Sequence, residues 1–143
     1  MTRVSVGIRA SELCDAHLRK ERIEILRIPN NIKSGKSKIN LNKIPPKFKL
    51  GTGHVKFFEN KLLYVYRRYP ELTAECILRG FKAEDYSNAF DDTPMSLWND
   101  YNETDADRHI VRERALERLK TMKNLKYYRE PITVEQAIQK LEL

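Results

Sequence analysis

Cysteine is scarce in this chain: two residues in 143, Cys14 and Cys76, far apart and each set among apolar neighbours. With no C-x-x-C pair and no secretory apolar segment near the start, they read as reduced core thiols of a cytoplasmic protein rather than as a disulfide framework. Histidine is almost as sparse. His17, His54 and His109 lie without ligand spacing and no cysteine cluster supplements them, so structural zinc is not expected. No stretch approaches the ~20 apolar residues of a membrane span, and there is neither an internal repeat nor a low-complexity tract.

What the chain does have is positive charge. Lys and Arg outnumber Asp and Glu by 27 to 20, a net +7, which points to a polyanion such as nucleic acid or an acidic membrane surface, and is also compatible with a basic protein that is simply soluble. The length fits one domain with a real core.

The pattern along the chain predicts an all-α, compact single domain over 1–143, with about three main helices, an extended N-terminal arm and a short extra C-terminal helix. Residues 2–9 alternate like a strand without a partner strand, so they are expected to pack Val4, Val6 and Ile8 on helices. Ser11 is the expected N-cap of a first helix that runs to about Arg27 and stops near Ile28-Pro29. Residues 29–50, rich in Pro, Asn, Gly and Lys, read as a flexible basic loop, either solvated or touching phosphates. Thr52-Gly53-His54 opens a second helix with the stripe Val55, Phe58, Leu62, Val65, which Arg67-Arg68-Tyr69 ends. Pro70 then begins a third helix that Gly80 caps. After an irregular stretch over 82–104, a long helix starts around Asp105, with Ile110, Ala115, Leu116, Leu119 and Met122 on its apolar side. Arg108, Arg112, Arg114 and Arg118 mark its basic side. Thr133 with Gln136 is a capping-box pattern for a terminal helix bearing Val134, Ala137, Ile138 and Leu141.

Two features carry chemistry. A small residue after Met1 allows removal of that methionine, leaving Thr2 with a free α-amine whose reference pKa of about 7.7–8.0 keeps a useful fraction nucleophilic near neutrality. On the first helix His17, Lys20, Glu24 and Arg27 share one face, so a carboxylate stands where a folded-back arm could bring that amine. Taken alone, Glu24 reads as a solvated helix carboxylate and His17 as a surface or satisfied histidine.

Several ordered blocks then stand out: Thr2-Arg3-Val4; Ser11-Glu-Leu-x-Asp-x-His17-Leu; Glu24 with Arg27; Leu50-Gly-Thr-Gly-His-Val-Lys-Phe-Phe58 followed by Lys61-Leu62; Glu71-Leu-Thr-Ala-Glu-Cys76; Arg79-Gly-Phe81; and Lys126-Tyr-Tyr128. In these blocks, over roughly residues 2–128, the chain resembles the pyrimidine-dimer DNA glycosylase/AP lyase family of T-even phage endonuclease V. The resemblance implies a mainly helical, monomeric DNA-repair enzyme that needs no metal or cofactor and acts on double-stranded DNA, with no membrane partner, in the cytoplasm of a phage-infected host cell. It implies Thr2 and Glu24 as catalytic residues: the amine attacks C1′ and forms an imine, and β-elimination breaks the strand. It further implies DNA contacts from Arg3, His17, Arg22, Arg27, Tyr69, Arg114, Arg118, Lys126, Tyr127 and Tyr128. Tyr69 and Arg22 would lie near a base extruded opposite the lesion, and His17 would serve either a phosphate or the sugar site.

Departures from the family pattern keep rival readings open. Arg22-Ile23 replaces a tyrosine and an arginine before the glutamate, and Asn124-Leu125 replaces two aromatics before Lys126. The segment after the first helix is shorter, and the tail over 131–143 lacks a family counterpart; it either packs on the body or serves dimerisation or a partner. The same chemistry on a different damaged or modified base, and a DNA-binding protein without catalysis, are the alternatives.

Overall fold

The computed structural model describes residues 3–35 and 39–142. It is mainly helical, with α1 (Asp15–Glu24), α2 (Arg27–Lys33), α3 (His54–Phe58), α4 (Leu62–Leu78), α5 (Asp105–Thr121) and α6 (Val134–Glu142). A two-stranded antiparallel hairpin, β1 (Lys126–Tyr127) and β2 (Glu130–Pro131), lies between the last two helices.

The N-terminal arm packs as its alternation predicts. Val4, Val6 and Ile8 are buried almost completely, a contribution of roughly 1.5–3 kcal/mol for each large apolar side chain. The arm is not straight, however. A turn at Val6–Gly7 folds it, with Val6 N–H donating to the Val4 carbonyl at 3.0 Å. Gly7 has φ +74, and a Cβ there would meet the Arg108 side chain at 2.3 Å, so both backbone and space require glycine.

Helix boundaries differ from the expected ones at several places, first in the expected second helix, which breaks after Phe58 so that Val55 and Phe58 lie on α3 and Leu62 and Val65 on α4. Ser11 is not an N-cap: residues Ala10–Glu12 form a 3₁₀ turn, and α1 begins at Asp15. Pro29 does not stop the helical path but sits in the first turn of α2, where a missing N–H leaves no intrahelical bond unmade. The basic loop is therefore shorter than 29–50, with a further 3₁₀ turn at Leu41–Lys43. Pro70 does not begin a helix either; α4 runs through it for 17 residues. Leu62, Val65, Tyr69, Leu72 and Cys76 form a single buried stripe across the proline, and this burial outweighs its cost of roughly 3 kcal/mol.

Other expectations hold. Gly80, at φ +88, terminates α4 in a Schellman motif: Phe81 N–H reaches the Cys76 carbonyl at 3.0 Å and Gly80 N–H that of Ile77 at 2.9 Å. Thr104 and Asp107 cap α5 reciprocally, and Thr133 with Gln136 does the same for α6. On α5 the expected Ala115 and Leu119 are buried and Leu116 and Met122 pack against the core, while Ile110 is exposed and its neighbour Val111 is buried instead. Ala137 and Leu141 are buried and α6 packs on α5, so the tail belongs to the body. Both cysteines are free and buried. Among the described residues, no helix is long and apolar enough to cross a membrane.

A buried ionic junction ties α4 to α1 and the hairpin. The Arg79 side chain, fully buried, donates to Glu75 Oε2 and Asp15 Oδ1, both at 2.9 Å. It also reaches the carbonyls of Ala10 and Ser11, both at 3.3 Å. Asp15 in turn accepts the N–H groups of Tyr128 and Arg129. Both of those residues have positive φ, 52 and 69, so the hairpin turn is bought by a carboxylate clamp instead of glycine. Replacing Arg79 by Leu leaves two buried carboxylates unpaired. The expected loss is about 3–5 kcal/mol of unfolding free energy, measured as a drop in the urea midpoint.

Candidate active site

A cleft of about 380 Å³ opens between the N-terminal arm, α1 and α5. Arg3 and Ser5 come from the arm, His17, Lys20, Glu21 and Glu24 from one face of α1, and Arg114 and Arg118 from α5. The spacing on α1 explains its share: residues three or four apart stack on one side of a helix. Arg114 and Arg118 meet the cleft for the same reason.

Hydrogen bonds fix the arm along this cleft. Glu21 Oε2 accepts the Ser5 N–H at 3.2 Å. His54 Nε2 accepts the Val4 N–H at 3.0 Å, and its Nδ1 donates to the Lys49 carbonyl at 2.9 Å. Behind Glu21 stands Arg68, whose Nε and Nη2 bind the two carboxylate oxygens at 2.8 and 3.2 Å while Nη1 reaches the Ile8 carbonyl at 2.6 Å. Arg68 thus joins α4, α1 and the arm.

The electrostatics are those of crowded cations partly offset by carboxylates. Burial pulls the Arg3 guanidinium below its ordinary value, and the neighbouring Arg118 and Arg114 pull in the same direction, against Glu24 and Glu21. His17 is lowered to about 4 by burial first, then by Arg3 and Arg118. At neutral pH its imidazole is therefore uncharged, free to accept as well as donate. Glu24 is largely buried, with Lys20 Nζ at 3.9 Å from its Oε1.

On the far side of Glu24 lies a second cleft of about 680 Å³, which shares Ala16, Lys20 and Glu24 with the first and adds Arg22, Ile23, Arg27, Phe81 and Tyr86 among others. Arg22 donates from Nε to Thr73 Oγ1 at 3.0 Å and from Nη2 to the Tyr69 hydroxyl at 3.1 Å and to the Glu84 carbonyl. Tyr69 is only 2% exposed and its oxygen also accepts the Tyr86 N–H, so it supports Arg22 from behind.

Of the residues singled out from the sequence, Arg3, His17, Glu24, Arg114 and Arg118 meet in the first cleft, and Arg22 and Arg27 in the second. Thr2 lies outside the described residues. Lys126, Tyr127 and Tyr128 line neither cleft. Tyr127 donates to the Ser11 carbonyl and Tyr128 to Glu75 Oε2, both at 2.8 Å, and Arg79 stacks over both rings. Sequence reasoning missed Glu21 and His54. Glu21 could have been found, being four residues after His17 and three before Glu24; His54 stands in the Leu50–Phe58 block, but its role depends on Val4, 50 residues away.

A cleft that gathers arginines, a lysine, a neutral imidazole and two carboxylates suits a phosphate-bearing substrate on which acid–base chemistry is done, and such a helical domain is of the nucleic-acid-processing class. The chain belongs to the pyrimidine dimer DNA glycosylase family, whose family model matches residues 1–87. It is thus a DNA-repair glycosylase with DNA as substrate. The matched part contains Arg3, His17 and Glu24, and α5 adds Arg114 and Arg118 from beyond it.

Acid should weaken the fold through His17 and His54. Both are lowered in the folded state, His54 by burial and by Arg3, in excess of what the Lys49 carbonyl restores. A depressed folded value means the unfolded chain binds the proton first. Their contribution is complete above about pH 6.5 and is lost as pH falls, for His17 down to about 4. Thermal denaturation between pH 7 and pH 4 should show a falling Tm, with a shallower fall in His17→Gln.

Proposed function

We propose that the chain excises pyrimidine dimers by attack of the Thr2 α-amine and then cuts the strand as an AP lyase, working as a single-domain monomer over 1–143. The observation that carries this reading is the cleft itself. Arg3 and Glu24 line it together, and Thr2 is bonded to Arg3, its Cα about 3.8 Å from the next. The neutral amine attacks C1′ of the damaged nucleotide and the N-glycosidic bond breaks, the base leaving with its electron pair and taking up a proton. Ring opening gives an imine to the sugar. Glu24 stabilises the developing cation and removes the C2′ proton, and the C3′–O bond breaks with expulsion of the 3′ phosphate. Water then releases the imine.

Arg3, Arg114 and Arg118 hold phosphates on one side of the lesion, and Lys20 neutralises Glu24 before DNA arrives. His17, uncharged at neutral pH, donates to or accepts from the sugar or a phosphate oxygen. Arg22 and Arg27, in the second cleft with Phe81 and Tyr86, receive the base extruded opposite the lesion, with Tyr69 holding Arg22 in place. Lys126, exposed on the hairpin, reaches the DNA backbone beside Tyr127 and Tyr128.

The second reading, the same chemistry on another lesion, is favoured by one observation: Ile23, 49% exposed, presents an apolar surface beside Glu24 in the second cleft. Incision of duplexes carrying either a defined pyrimidine dimer or other single lesions separates the two. Cutting at the dimer supports the first reading; cutting only elsewhere supports the second.

Glu24→Gln should lower strand cleavage at a dimer at least 100-fold while leaving duplex Kd within about threefold, since the carboxylate acts on the sugar and not on phosphate. Arg114→Ala with Arg118→Ala should weaken binding to any duplex and reduce the slope of log Kd against log salt by about 1 per arginine. Gel-shift titrations at several salt concentrations measure this.

A further inference from the structure

His54 is the one histidine near the site that the chemistry above does not use. It begins α3, after Gly53 at φ 92, and is buried against Phe48 and Phe58, with ring centroids 5.5 and 5.3 Å away in edge-on geometry. Its two hydrogen bonds leave no freedom of protonation. Nδ1 faces a carbonyl, which only accepts, and Nε2 faces a backbone N–H, which only donates. The ring is therefore the neutral Nδ1–H tautomer, and Nε2 presents its lone pair to Val4.

We infer that His54 is a positioning residue for the glycosylase reaction: its Nε2 pins the Val4 N–H and so fixes the N-terminal arm at the distance from Glu24 that attack requires. This rests on the reading of the Thr2 amine as nucleophile. Thr2 is two residues before Val4, so its reach from the pinned atom is at most about 7 Å. Small displacements at that range matter, because a reacting atom misplaced by about 1 Å costs on the order of 100-fold in rate. The Glu21 bond to Ser5 fixes the next amide along the arm, and His54 holds the Val4 amide, one step closer to the amine.

The arrangement also makes the pin sensitive to acid. The charged groups that face the ring are Arg3 on the arm and Glu21 on α1; the segment before α3 offers the Lys49 carbonyl, and Phe48 and Phe58 are uncharged. Protonation would set an Nε2–H against the Val4 N–H. The pin is then lost, and because burial holds the ring's pKa below its ordinary value, the pin is intact at neutral pH.

Two variants test this with the full chain. His54→Phe keeps the aromatic packing and removes the acceptor. An ester in place of the peptide N–H at Val4, installed by ligating residues 2–13 to the chain beginning at Cys14, removes the donor and leaves His54 untouched. Single-turnover cleavage of an abasic-site duplex, duplex Kd and trapping of the imine with borohydride are measured from pH 5 to 8. The expected result is at least a tenfold slower rate in both variants with Kd within threefold, the borohydride adduct still mapping to the N-terminus. A rate within twofold of the natural chain in the ester variant, with an N-terminal adduct still formed, overturns the positioning role and leaves the amine mechanism standing. No adduct from the natural chain overturns the amine mechanism first.

Discussion

The Arg68–Glu21 pair holds the site together. Both side chains are buried, and the guanidinium spans the carboxylate of α1 and the Ile8 carbonyl of the arm while being carried by α4. A pair removed from water this fully is weak as a source of stability, because desolvation offsets most of its attraction. Its value is geometric. Glu21 cannot leave Arg68 without stranding a buried charge, so the oxygen that accepts the Ser5 N–H stays fixed, and the arm is registered against α1 to within a hydrogen bond. The Arg79 junction does the same service at the other end of α1, for the hairpin.

This registration determines the charge pattern of the cleft. Arg3 arrives beside Arg114 and Arg118, close enough that both disfavour its charge, and His17, buried beside Arg3 and Arg118, stays neutral. On the proposed reading, phosphate arriving in the cleft relieves this repulsion on Arg3. Glu24 lies in the wall common to both clefts.

The parts of this arrangement visible in the sequence are those set by short-range periodicity. The polar face of α1, the stripe of α4, the capping boxes of α5 and α6 and the Gly80 cap all follow from residues within a few positions of each other. The parts that were not visible are set across the fold. Pro70 reads as a helix start by local rule and is carried inside α4 by the burial on either side of it. The Tyr128-Arg129 turn lacks any glycine signal because Asp15, more than 100 residues earlier, supplies the clamp. Asn124 and Leu125, which depart from the aromatic pattern of the family, have local roles here: Asn124 takes φ 57, a conformation asparagine tolerates well, and Leu125 is buried in the core. Ile23 has no such role, and nothing in the fold explains its exposure.

On the proposed mechanism, the amine at the start of the arm is the nucleophile. Mature protein incubated with an abasic-site duplex and borohydride should yield a covalent adduct that peptide mapping places on Thr2, and none when Met1 is retained. An adduct on a lysine, or none at all from active protein, would contradict the account.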